Sequence, residues 1–192
     1  MAHLKETKLT SECIYDGRIV RLERDTVRME DGTEAIREVV RHPGGVCVLA
    51  LTEQNEALIV RQFRYPYQEV TIEVPAGKIE YGEDPAECGK RELLEECGCT
   101  ADSFTYLGLL YPTTAYNTEI IRIYLAKGLH FGAQQLDEGE FLDIERIPFD
   151  KLLEMVLRDE IHDSKTQIAV LRYAACRQKN KERQTPFLVS DR

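Results

Sequence analysis

Between Gly77 and Cys99 the chain reads GKIEYGEDPAECGKRELLEECGC, and no other stretch constrains the fold as much. Gly77 is followed six positions on by Glu83, then by Arg91-Glu92-Leu93, Glu95-Glu96 and Gly98. Asp84 is an acidic N-cap, Pro85 suits the first helical position, and Glu87 stands three residues after the cap. Gly98 supplies the left-handed residue after the last turn. The pattern predicts a helix over Pro85–Cys97, with Ala86, Gly89, Leu93 and Cys97 near one face and spaced for burial. Glu92, Glu95 and Glu96 fall within about a third of the circumference, where like charges cost stability. Such a cluster repels itself unless a cation sits in it. A divalent cation held by carboxylates points in turn to phosphate chemistry.

An acidic helix face is in general a solvated face. Here about eight positions are specified together, and a chance match is on the order of one in a hundred million if each is met roughly one time in ten. The segment resembles the Nudix box, G-x5-E-x7-R-E-U-x-E-E-x-G-U with U a bulky aliphatic. Gly77, Glu83, Arg91, Glu92, Leu93, Glu95, Glu96 and Gly98 match, and Cys99 stands at the final aliphatic position. Cysteine packs as a small hydrophobe when buried, so the departure touches packing and not chemistry. Nudix enzymes hydrolyse a nucleoside diphosphate linked to another group.

The 192 residues suit one domain of ordinary size with a small appendage, and 43% hydrophobic content is enough for a core. A net charge of −9 argues against a nucleic-acid partner and against an anionic membrane surface. It leaves room for a small anionic substrate in a local basic pocket. No apolar run approaches a membrane span, and MAHLKETKLT has no signal-peptide core. The six cysteines, Cys13, Cys47, Cys88, Cys97, Cys99 and Cys176, contain no C-x2-C pair and read as reduced core thiols of a cytoplasmic protein. His3, His42, His130 and His162 show no ligand spacing.

Residues 12–42 read as short strands, with Gly17–Met29 and Thr33–His42 joined by a turn at Asp31-Gly32, and His42-Pro43-Gly44-Gly45 interrupts the chain before the next apolar run. The expected organisation is an N-terminal β element over 1–44, a main domain over 45–179 and a polar tail over 180–192, in which Phe187-Leu188 could dock. Within the main domain Val46–Leu51, Ala57–Arg64, Thr71–Val74, Phe104–Leu110, Glu119–Ala126 and Phe141–Ile147 read as strands. Pro148–Arg158 and Lys165–Lys179 read as amphipathic helices. Strands with few helices predict an α/β fold, a mixed sheet covered by helices on both faces. The Nudix fold is of that kind, here with a small N-terminal antiparallel element.

The resemblance runs over roughly residues 8–178. Val60-Arg61-Gln62-Phe63-Arg64-Tyr65-Pro66 with Ile72-Glu73-Val74-Pro75-Ala76-Gly77, Gly17–Leu22, and His162-Asp163-Ser164-Lys165-Thr166 are similar to the ADP-ribose pyrophosphatase branch. That likeness implies a metal set of the Ala76 carbonyl, Glu92 and Glu96, joined by Glu95, with Glu83 and Arg91 bracing loop against helix. It implies that Arg64, Arg41 and Glu119 contact substrate, and that Glu138 or Glu140 in Asp137–Phe141 is the catalytic base. Mg²⁺ is the implied cofactor, with Mn²⁺ as the alternative. Two departures stand out. Pro112–Asn117 replaces a Ser-Pro-Gly type loop, and Ile19 and Ile36 stand where some relatives sandwich the adenine between tryptophans, of which this chain has none.

The implied reaction is metal-assisted hydrolysis of ADP-ribose to AMP and ribose 5-phosphate, with another nucleoside diphosphate sugar such as GDP-mannose as the alternative. A sensor that binds without cutting, and a scaffold with a merely solvated acidic helix, are the rival classes. A small sheet of this size is marginal alone, which with the family resemblance predicts a homodimer exchanging residues 1–44.

Overall fold

The computed structural model describes residues 3–183; the tail residues Phe187-Leu188 lie outside the described residues. The described chain forms two compact units, one of residues 3–44 with 111–120, the other of 45–110 with 121–183.

The smaller unit is a three-stranded antiparallel sheet, β1 (Thr7–Asp16), β2 (Arg21–Arg28) and β3 (Glu34–Arg41). Asp31 makes the predicted turn between β2 and β3, its carboxylate accepting from the backbone and hydroxyl of Thr33. β1 starts at Thr7, before the strand-like stretch expected from residue 12, because nearly every residue in it is exposed and no alternating apolar face marks its start. It is held by its antiparallel ladder on β2 and by side-chain pairs: Ser11 donates to the buried Asp25 at 2.5 Å, and Arg24 to Glu12. Residues 111–120 complete this unit. Val40 N–H donates to Tyr116 O, Thr118 N–H donates to Val40 O, and His42 N–H donates to the Thr118 hydroxyl. The sequence alone predicts a continuous main domain that contains this loop; the hydrogen bonds tie the loop to the smaller unit.

The larger unit is a seven-stranded mixed sheet. Its path is β10 (Leu142–Pro148), β5 (Glu56–Arg64), β4 (Gly45–Leu51), β9 (Ile121–Phe131) and β8 (Cys99–Leu110), with β6 (Glu69–Glu73) on β5 and β7 (Ala76–Lys78) on β4. The β4–β9 pairing is parallel and the others antiparallel. β4 is buried along its whole length, so the two-residue period of a strand sends its side chains to two cores. Cys47, Leu49 and Leu51 join one with Ala57, Ile59, Phe149 and Leu152. Val46, Val48 and Ala50 join the other with Leu58, Val60, Leu93 and Cys97. Helix α1 (Pro85–Cys97) covers the second core, and α2 (Phe149–Leu157) with α3 (Ser164–Arg183) covers the first. This is the mixed sheet between helices that the sequence predicts. Helix α3 runs to Arg183, four residues past the expected end at Lys179.

Candidate active site

Helix α1 starts and stops as its sequence dictates. The Asp84 carboxylate accepts from Ala86 and Glu87 N–H, and Gly98 adopts φ 61°, ψ 32° with its N–H on Leu94 O. The capped helix sets its carboxylates against β7. Glu96 is not on a solvated face: it is 2% exposed, and its Oε2 accepts from Ala76 N–H at 2.9 Å. Glu92 lies against Gly77, where a Cβ would come within 1.8 Å of the Glu92 carboxyl carbon. Only glycine at position 77 lets the strand and that carboxylate approach so closely. Of the four residues expected to be buried on α1, Gly89, Leu93 and Cys97 are; Ala86 is half-buried, and Cys88 takes its place.

Arg91 organises the rest. Its Nε donates to Glu83 Oε1 at 2.8 Å, and its Nη1 lies 2.8 Å from both Glu92 Oε1 and Glu95 Oε2. Glu83 also caps the loop, accepting from Glu80 N–H. The Arg91 hydrogen bond outweighs desolvation and holds the Glu83 carboxyl down to about 2. Lys90 turns away to Glu87.

The buried carboxylates behave oppositely. Burial, reinforced by the charges of Glu95 and Glu140, pushes Glu92 up to about 7 against the opposing pull of Arg91. Burial pushes Glu96 up to about 8, with Glu92 and Glu140 adding to it while the Ala76 N–H and Arg64 oppose it. Glu140 is thus close enough for its charge to act on both. It is half-buried at the end of a turn closed by its own N–H on Asp137 O. Glu138, two residues earlier in the same loop, is exposed.

Among the described residues no three His, Cys, Asp or Glu side chains are gathered as a ready-made metal cage. Glu92 and Glu95 are drawn to Arg91, and Glu96 to the backbone. The donor set nevertheless fits a hard divalent cation: oxygen ligands only, and two neighbouring carboxylates, Glu92 half-buried and Glu96 buried, whose pKa values are raised by desolvation and by the negative charges around them. Such a cation would be held by Glu92 and Glu96, with Glu95 and the Ala76 carbonyl beside them. When bound it would polarise a phosphoryl oxygen and lower the pKa of a water.

Arg64, at the end of β5, turns its guanidinium onto Glu73, which is 2% exposed: Nε to Oε1 and Nη2 to Oε2, both at 2.7 Å. Arg64 is one of the charges acting on Glu96, so it belongs to the same electrostatic neighbourhood. The structure therefore brings together Ala76, Glu83, Arg91, Glu92, Glu95, Glu96, Glu140 and Arg64 in the larger unit. Arg41 and Glu119 belong to the smaller unit. There Arg41 Nε donates to Glu23 at 2.7 Å and its Nη2 reaches Asp25 at 3.4 Å, and Glu119 lies beside Asn117 and His42. Ile19 and Ile36 are exposed in that unit.

Residues 41–169 match the NUDIX domain model, two thirds of the chain. The chain belongs to the NUDIX family. Residues 6–40 match a second model, the nucleoside diphosphate sugar hydrolase N-terminal domain. A methanol dehydrogenase activator of Bacillus methanolicus is 40% identical over 168 residues, 86% of this chain and 91% of that protein. An ADP-ribose pyrophosphatase of Bacillus subtilis is 36% identical over 172 residues, 88% of this chain and 93% of that protein. A GDP-mannose pyrophosphatase of Yersinia enterocolitica is 31% identical over 158 residues, covering 76% and 81%. The crystal structure of an ADP compounds hydrolase superposes with a TM-score of 0.79 at 22% identity, covering 93% of this chain and 95% of that one. It supports the NUDIX fold.

Sequence reasoning missed one part of this NUDIX domain. Glu73 reads in sequence as an ordinary member of its motif, yet it is a buried carboxylate receiving Arg64, Thr71 and Lys165. A signal was present: Thr71 and Glu73 are two apart on a strand and so share a face, and a carboxylate that follows into the core beside Val74 calls for a partner.

Proposed function

We propose that this NUDIX protein hydrolyses the diphosphate bond of a nucleoside diphosphate sugar with Mg²⁺, and that ADP-ribose, cut to AMP and ribose 5-phosphate, is its first substrate. Glu96 carries the reading: a carboxylate almost wholly buried, with a pKa pushed up to about 8 and one backbone N–H as its hydrogen-bond partner, is costly unless a cation completes it. Glu140 is the base in this reading, because it is half-buried at the end of its turn and its charge acts on Glu92 and Glu96, with Glu138 as the alternative. Arg91 and Glu83 hold helix and loop in register. Arg64 meets the diphosphate, and Arg41 and Glu119 are kept as the substrate contacts that the family resemblance implies. GDP-mannose is the second candidate, since relatives with that name align over three quarters of the chain.

The test is release of nucleoside monophosphate from a panel of diphosphate sugars with Mg²⁺ or Mn²⁺. Turnover of ADP-ribose well above the others is the expected result. Tight binding without turnover would make the protein a sensor, and neither would leave a scaffold.

A second reading concerns the purpose of hydrolysis. The relative at 40% identity is named for activating methanol dehydrogenase, so the same assay should include an alcohol dehydrogenase with and without this chain. Two copies of the chain are proposed to exchange residues 1–44, a route by which twofold dimers form at low cost. The exposed Ile14, Ile19, Val20 and Ile36 support it. Light scattering showing a fully active monomer would rule it out. The free cysteines fit a reducing, cytoplasmic compartment.

A further inference from the structure

Four charged side chains stand in a row beside the carboxylate cluster, and the proposed reaction uses only the first. Arg64 spends Nε and Nη2 on Glu73. Glu73 Oε2 also accepts from Lys165 Nζ at 3.0 Å, and the same ammonium donates to Asp163 Oδ1 at 2.6 Å. Asp163 Oδ2 accepts from both the N–H and the hydroxyl of Thr166, in the first turn of α3. The Thr166 hydroxyl is wholly buried and accepts from Val74 N–H at 2.8 Å. The row is thus anchored twice to the strand that leads into Ala76 and Gly77, once by a side chain and once by the backbone.

Two charges of each sign make the row neutral, so it is no general anion site. Its geometry has another consequence. A bidentate arginine–carboxylate pair is planar, so the guanidinium plane follows the carboxylate plane. Glu73 is buried, and its orientation is fixed by the other groups on its oxygens. Thr71 holds Oε1 at 2.6 Å and Lys165 holds Oε2. Arg64 is the partly exposed end of the row, with 38% of its side chain open, and its Nη1 has no hydrogen-bond partner among the described residues. Arg64 and Glu96 act on each other electrostatically, so that free edge belongs to the carboxylate cluster's surroundings. A cavity of about 320 Å³ lined by Arg64, Thr71, Glu73 and Lys165 leaves the guanidinium room to swing if its carboxylate turns.

We infer that Lys165 is a positioning residue: by holding Glu73 Oε2 it sets the plane of the Arg64 guanidinium, and so the direction in which Nη1 meets the substrate's diphosphate. Lys165 touches no substrate in this account. The inference rests on the proposed hydrolysis of a nucleoside diphosphate sugar, and the experiment separates the two.

The full-length protein is compared as wild type, Lys165→Met, Arg64→Met and the double variant, by steady-state kinetics on ADP-ribose with Mg²⁺ and by the Arg64 Nε–H signal in NMR spectra of arginine-labelled protein. Lys165→Met is expected to raise KM about tenfold with kcat within about threefold, and to shift the Arg64 signal. In the Arg64→Met background the same substitution is expected to add nothing, since coupled residues give non-additive effects. Lys165→Arg, which keeps a cation over Glu73, should recover most of the KM. A purely structural lysine would act equally in both backgrounds. Additivity, an unchanged KM, or an unmoved Arg64 signal in Lys165→Met overturns the inference. If Lys165→Met does not fold by circular dichroism, Lys165→Gln is read by the same signal and cycle. A wild type that cleaves no sugar nucleotide defeats the hydrolysis reading, and the Arg64 signal then still decides whether Lys165 orients Arg64.

Discussion

Glu96 is a carboxylate only 2% exposed, and its burial fixes what its replacement should do. Glu96→Gln keeps an acceptor for Ala76 N–H and removes the charge, so the fold should survive. Turnover should fall at least about a hundredfold, the scale of losing one preorganised charge-stabilising group, about 3 kcal/mol. Circular dichroism and the monophosphate assay check both halves, and near-normal turnover would remove Glu96 from the metal set. For Glu140→Gln the expected pattern is different: kcat falls while KM stays within a few fold, because a base acts on the transition state and not on binding. Glu138→Gln should leave both constants near wild type. If Glu140→Gln is also silent, Glu95 or Glu119 becomes the next base to test. The choice between Glu138 and Glu140 was invisible in the sequence. Both sit in one acidic loop, and neither the turn in which Glu140 N–H donates to Asp137 O nor the action of the Glu140 charge on Glu92 and Glu96 is announced by spacing.

Among the elements, α1 and β7 form the site by approaching closely, and Gly77 is where that approach can be tested. Gly77→Ala places a methyl carbon 1.8 Å from the Glu92 carboxyl carbon, so Glu92 or the strand must move. A misplacement on the order of 1 Å at a reacting centre costs about a hundredfold in rate. The variant should lose about that much turnover and bind Mn²⁺ more weakly by calorimetry, while its far-UV spectrum is unchanged. Wild-type Mn²⁺ affinity would show that the approach does not matter. This element was the most legible in the sequence, because Asp84, Pro85 and Gly98 act locally: caps depend on neighbours a few residues away. The burial of Glu96 was not legible, since helical spacing puts it beside Glu92 and Glu95 and only the packing of β7 decides which of the three goes inward. Strand β1 was legible only from residue 12 on for the reverse reason, as an exposed strand leaves no periodic trace of where it starts.

For the molecule as a whole, the row from Arg64 to Asp163 predicts how stability depends on pH. Burial alone would raise the Glu73 carboxyl, but the hydrogen bonds and charges of Arg64, Lys165 and Thr71 outweigh it and hold the group down to about 2. A carboxyl with a depressed folded-state pKa adds stability that is fully present above its unfolded value near 4.5, and that is lost as pH falls from there through about 2. The loss from this group is about 3 kcal/mol. Urea unfolding between pH 6 and pH 2.5 should show that fall, and Glu73→Gln should be less stable at pH 6 with a shallower acid limb. An equally steep limb in the variant would assign the acid sensitivity to other carboxyls. The two-core sheet was readable from β4, whose unbroken apolar run needs a helix on each face. The division of the chain was not, because Tyr111–Ile120 joins residues 3–44 through hydrogen bonds to Val40 and His42 that no local pattern announces. That excursion reverses the usual order of biosynthesis. Domains emerging from the ribosome generally mature from the N-terminus onward. Here β1 to β3 wait, with the outer edge of β3 at Val40 still lacking these partners, until Tyr116 and Thr118 have been made, so the smaller unit is completed only after β4 to β8 have been synthesised.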